Sequence, residues 1–125
     1  MNLETEYAHY TYEDGVVILT FKNIHYTEAI ARQVTDDGRN LTNSQNVLVL
    51  SDVRKLRKID REAIQFFQSD ECIKYTIASA VLTGSLITVI LTNFFMQWTY
   101  NKKSQMPTKA FSDKQKAMEW LKQFL

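Results

Sequence analysis

Cysteine, proline and glycine are all scarce in this 125-residue chain, which has one, one and three of them respectively. The single Cys72 cannot close an intramolecular disulfide, so the fold must rest on packing, and a reducing cytoplasm is the expected setting. So few prolines and glycines leave no linker-like or low-complexity stretch, and no internal repeat is present. Residues 1–125 therefore read as a single domain. An excess of one charge is missing too. A net charge of +1 sets up no general field toward nucleic acid or an acidic partner. The N-terminus, MNLETEYAHY, lacks the basic-then-apolar layout of a signal peptide. No GxSxG, no Gly-rich phosphate loop, no paired-acid signature and no metal-ligand spacing occurs. The expectation is a non-enzyme with no cofactor or metal.

What is present is a globular composition, 45% hydrophobic and 23% charged, enough to bury a real core. Glu6 to Glu13 and Val16 to Lys22 flank Asp14-Gly15, a two-residue turn signal for an antiparallel hairpin. The second strand is apolar on both faces, which implies cover on both sides, whereas the first resembles an edge. Thr27 fits a helix N-cap with Glu28 in the first turn. Ala29, Ile30, Val34 and Leu41 give a helical stripe that Asp36-Asp37-Gly38 weakens. Asn46 to Val53 contains the run Val47 to Leu50, which fits a central strand buried on both faces. Asp60 is placed to cap a helix running to about Tyr75. Thr108 to Phe111 follows Pro107 as a short strand, and Ser112 with Gln115 forms a capping box for the last helix.

Thr76 to Asn101 carries no charged residue, between Lys74 and the Lys102-Lys103 pair. Roughly 20 apolar residues suffice to span a bilayer. However, Thr83-Gly84-Ser85 offers a strand-to-helix turn, and Thr88, Thr92, Asn93 and Gln97 are polar for hydrocarbon. Strands and helices also alternate on both sides, so Ile77–Leu82 reads as a buried strand and 86–100 as an apolar helix, with no membrane span. The resulting order is ββαβαβαβα, a mixed, largely parallel sheet of about five strands with about four helices.

This order, with VLVLSDV leading into KIDREAIQFF, resembles the STAS/SpoIIAA-like superfamily. The tail IASAVLTGSLITVILTNFFMQW…MPTKAFSDKQKAMEWLKQFL is similar to small, mostly bacterial STAS/SEC14-type domains of largely unassigned function. The likeness covers nearly the whole chain, and PTKAFSD–KQKAMEWL is its most specific part. In the anti-sigma-factor antagonists of this superfamily, an Asp-Ser pair opens the helix after the central strand, and the Ser is phosphorylated. Here Asp60 is kept but Arg61 stands where the Ser would be. A cation replaces the group that would gain negative charge, so the phospho-switch is not carried over. Ser51, earlier in the strand, does not take that place.

Two surfaces are candidates. Arg54, Lys55, Arg57, Lys58, Asp60 and Arg61 concentrate charge at the start of a helix, where cations and free N–H groups can hold an anion or an acidic partner. A solvated loop balanced by Asp52, Asp60 and Glu62 is the plainer reading. With no aromatic interleaving, nucleic acid is not expected. The second is the apolar helix 86–100, where Val89, Leu91, Phe95 and Trp98 have no polar side to face outward. It is core, a homodimer or protein-partner interface, or the wall of a pocket for an apolar ligand. His9, His25 and Cys72 read as unremarkable strand, loop and helix residues, since Glu71 beside Cys72 disfavours a thiolate. The function expected first is a non-catalytic binding or regulatory module that self-associates through 86–100. The alternative is a carrier or sensor of a small apolar or lipid-like ligand.

Overall fold

Asp14 and Gly15 set the first long pairing. Both adopt positive φ (55° and 78°), the conformation of a two-residue hairpin turn whose twist matches its strands. They join β2 (Ala8–Glu13) to β3 (Val16–Phe21), paired in register from Glu13 with Val16 to Ala8 with Phe21. In the computed structural model, residues 1–85 and 106–125 are described. The expected edge strand is not the edge. Asn2–Glu4 form β1 and pair antiparallel with the outer side of β2, after Thr5 Oγ1 accepts the N–H groups of Tyr7 and Ala8 to bend the chain. Three residues are too few to carry a period, so this strand left no pattern in the sequence.

The rest alternates as expected. A two-residue β4 (His25–Tyr26) precedes α1 (Glu28–Thr42), whose N-cap Thr27 accepts the Ile30 N–H at 3.3 Å. Asp36-Asp37-Gly38 does not interrupt α1. Gln33 Nε2 donates to Asp37 at 2.8 Å, and one mid-helix glycine costs only about 1 kcal/mol. Its buried face is Ala31, Val34 and Thr42, with Ala29 turned outward. Next come β5 (Val47–Asp52), β6 (Lys58–Ile59), α2 (Arg61–Phe67), α3 (Asp70–Ile73) and β7 (Thr76–Leu82). The single helix expected from Asp60 to Tyr75 is two pieces. Ser69 Oγ accepts the Cys72 N–H and donates to the Phe66 carbonyl, closing one helix and capping the next. Finally β8 (Thr108–Phe111) leads to α4 (Lys114–Lys122). Its cap is Asp113, which accepts the Lys116 N–H at 3.1 Å, one residue later than the Ser112–Gln115 box.

The main sheet has six strands in the order β1-β2-β3-β5-β7-β8, and β4 pairs with β6 in a small parallel ribbon. From β3 to β8 every pairing is parallel, and the β1-β2-β3 end is antiparallel. The two faces are covered differently. On one, Val16, Leu48, Leu50, Ala78, Ala80 and Leu82 pack against Ala117 and Leu121 of α4. On the other, Tyr10 and Phe21 meet Val34 of α1, and Ala31 of α1 packs on Ala63 and Phe66 of α2. Among the described residues, no helix is long and apolar enough to cross a membrane.

Candidate functional site

Register makes the second face shallow where the first is full. The cross-strand rows there are Val17, Val49, Ser79, Thr108 and Leu19, Ser51, Val81, Ala110. Each row includes a small side chain, Ser79 in the first and Ser51 and Ala110 in the second. The opposite face places Leu48, Leu50 and Leu82 at the alternating positions. A period of two residues lets one strand serve both purposes.

The helix above adds to the deficit. Val34, Thr35, Gly38, Arg39 and Thr42 lie on one side of α1 and face the sheet across a cavity of about 280 Å³. A Cβ placed on Gly38 would have no atom within 4 Å. The glycine therefore adds open space in the wall. Among the described residues, Leu56, Ile59, Phe67 and Ile73, from the connections and from α2 and α3, line further sides. The volume equals that of roughly nine liquid waters, near the lower end of ligand-sized pockets.

Several polar side chains share this mainly apolar lining. The Tyr10 hydroxyl is 3.4 Å from both the Val34 carbonyl and Asp37 Oδ2. Burial pushes the Tyr10 phenol up from its ordinary range, and the nearby Asp37 charge adds to that. Cys72 Sγ lies 3.4 Å from Thr35 Oγ1. Burial raises its pKa too, so at neutral pH it is a thiol and not a thiolate nucleophile. Arg39 is the one charged side chain among the described lining residues. Its Nη2 donates to the backbone carbonyls of Glu71 and Cys72, and its Cζ is 5.3 Å from the Tyr75 ring centre.

Part of the basic stretch singled out from sequence is engaged within the chain. Arg54 is held by Asp52 through Nε at 3.0 Å and Nη2 at 2.8 Å. Burial alone would raise the Asp52 carboxyl, but the Arg54 side-chain and backbone donors outweigh it and hold it below the usual range. Arg57 turns its Nη1 onto the carbonyls of Arg54 and Leu56. Asp60 occupies the N-cap position of α2 without capping it, because its Oδ1 is 2.6 Å from His25 Nε2. Lys55, Lys58 and Arg61 are exposed and make no ion pair among the described residues. Arg61 is the first residue of α2. His9 is 2.9 Å from Glu4 across the β1-β2 pair. Among the described residues, no group of three or more His, Cys, Asp and Glu side chains is arranged to hold a metal. Val89, Leu91, Phe95 and Trp98 lie outside the described residues. Sequence reasoning passed over Gly38, Arg39, Val49 and Ser79. The signal was there in part, as a helical stripe 34-35-38-39-42 richer in small and polar residues than a core face normally is.

A family model covering residues 10–125, that of DUF7793, a domain of unknown function, matches this sequence. The chain belongs to the DUF7793 family. No curated protein matches it. Among solved structures, this DUF7793 chain is similar to an uncharacterised protein of the DUF3478 family with a SpoIIAA-like fold from Shewanella loihica PV-4. That match has 15% identity and a TM-score of 0.66, and covers 91% of both chains. The fold is SpoIIAA-like, in agreement with the resemblance drawn from the strand order.

Proposed function

We propose that this DUF7793 domain is a non-catalytic binding module that receives a small, mainly apolar ligand in the cavity between its sheet and α1–α3. The cavity itself carries the reading. A space of about 280 Å³ sits against the central strands of a sheet whose other face is tightly filled, and both Gly38 and Ser79 keep it open. Protein interiors are normally close-packed, with few voids larger than a water. An apolar space of this size costs stability, since it forfeits dispersion contacts all along its lining. A ligand restores them. Of the reactive groups in the lining, Cys72 is held as a thiol and Tyr10 as a phenol, so neither is poised as a nucleophile or base. This takes up the second of the two functions expected from the sequence, the carrier or sensor of an apolar molecule.

The test is a thermal shift with 1-octanol, a neutral molecule of suitable volume, on the full chain and on Val49→Phe. Binding to the native state alone raises the melting temperature saturably. The expected result is a saturable rise for the natural chain that Val49→Phe abolishes. No rise, or an equal rise in both, would sink the reading.

A further inference from the structure

The lining of the cavity is apolar in depth but not uniform in charge. Arg39 is the one ionised side chain among the described residues that line it. It is half-buried, and the neighbouring lining residue Gln45, past the end of α1, is exposed. Together these two place an opening of the cavity at the C-terminal end of α1. In the same lining, Val34 and Val47 are buried and Val49 is half-buried.

We propose that the ligand carries one anionic head, a carboxylate on an apolar body of roughly ten non-hydrogen atoms, the size matched to the cavity by its liquid-volume equivalent, and that Arg39 receives that head. The proposal rests on the binding-module reading above and specifies its ligand class. Three features of Arg39 support it. First, its guanidinium is preorganised: Nη2 is fixed on the carbonyls of Glu71 and Cys72, and Tyr75 flanks it. Second, that clamp uses a single nitrogen. Nη1 and Nε make no hydrogen bond among the described residues, so each keeps a donor for a single charge-assisted hydrogen bond to a carboxylate oxygen. Third, two nearby carboxylates are engaged elsewhere. Glu71 is 3.0 Å from Arg32, and Asp37 is held by Gln33 and Tyr10. A purely structural Arg39, tying α1 to α3 and balancing the negative end of the helix, would need the carbonyl contacts alone. It would not need to be the one cation among the described residues lining an apolar cavity.

Calorimetric titration of the full chain with octanoate and with 1-octanol separates the possibilities. Octanoate is expected to bind about tenfold or more tightly than octanol, the ratio for a net charge-assisted hydrogen bond. Arg39→Gln should lose that preference while keeping octanol binding, and Arg39→Lys should keep part of it as a point charge. The comparison on the natural chain needs no variant, so it decides even where Arg39→Gln fails to fold. Equal affinities, or tighter octanol binding, would overturn the anionic head and leave the apolar cavity standing. Absence of binding by both molecules would remove the cavity reading, and this inference with it.

Discussion

Val49→Phe tests the cavity through the sign of a stability change. Val49 is half-buried on the central strand β5, between Val17 and Ser79 in its cross-strand row. If the space opposite is empty, a phenyl ring extends into it. The ring removes roughly 40 Å² more apolar surface from water than the valine does. At about 25 cal/mol/Å², that stabilises the fold by about 1 kcal/mol. If the chain's own side chains already fill the space, the same ring overpacks it and costs about 1–3 kcal/mol. The two cases differ in sign. Leu50→Phe, one residue on, is the control. Leu50 is fully buried under α4 on the filled face, so its enlargement should destabilise in either case. Urea unfolding followed by circular dichroism reads both, with an unchanged m-value certifying that the midpoint shift is a stability change. The expected pattern is a raised midpoint for Val49→Phe and a lowered one for Leu50→Phe. Equal losses in the two would refute the reasoning, since the faces would then be equally full.

Other substitutions follow from the same geometry. Gly38→Ala should stabilise by about 0.5–1 kcal/mol, because helix propensity improves and the new Cβ meets nothing within 4 Å; a lower urea midpoint would contradict the open wall. Tyr26 is fully buried, donates to the Tyr7 carbonyl at 2.6 Å and accepts the Lys22 N–H at 2.8 Å. Tyr26→Phe should therefore cost about 1–3 kcal/mol by leaving both partners unsatisfied, and a neutral outcome in urea would mean that water replaces the hydroxyl. The Asp52 carboxyl has its folded pKa depressed by Arg54, so its contribution is present above the unfolded value of about 3.9 and is lost as pH falls through the folded one. The melting-temperature gap between the natural chain and Asp52→Asn should accordingly narrow below about pH 4; a gap that stays constant down to pH 2 counts against the pairing. Tyr10 titrates the other way. Its folded pKa is raised by burial, so its contribution holds below the unfolded value of about 10 and is lost as pH rises through the folded value. Tyr10→Phe should flatten the loss of stability seen above pH 10, and identical alkaline profiles would place the phenol in solvent.

The readable parts of this chain were those whose physics is local. Asp14-Gly15 specifies a hairpin because both residue types tolerate the positive φ that a two-residue hairpin turn demands, and the structure has both there. Thr27 caps α1 through its own hydroxyl. Val47 to Leu50 is apolar enough to be a central strand, and it is one. The errors occurred where two local signals competed. Ser112 and Asp113 are both capping residues, and the sequence does not rank them. Asp60 looked like a cap because its type suits one, but the fold offers its carboxylate to His25, 35 positions away, and the α2 N-terminus goes without. Ser69 ends one helix and starts another through bonds to Phe66 and Cys72, a break that helical periodicity hides.

The sequence alone determined the fold class, because a two-residue strand period, a helical period and cap chemistry are properties of neighbours along the chain. The site is decided elsewhere. Arg39 borders an apolar cavity because α1, packed against β2 and α2, shares that space with the β5 and β7 strands, where Val49 stands beside Ser79, and Ser51 beside Val81. No single segment contains that deficit. It arises only when strands in register and α1 come to border one space, so the tertiary structure alone decides where that space lies and which charge borders it among the described residues.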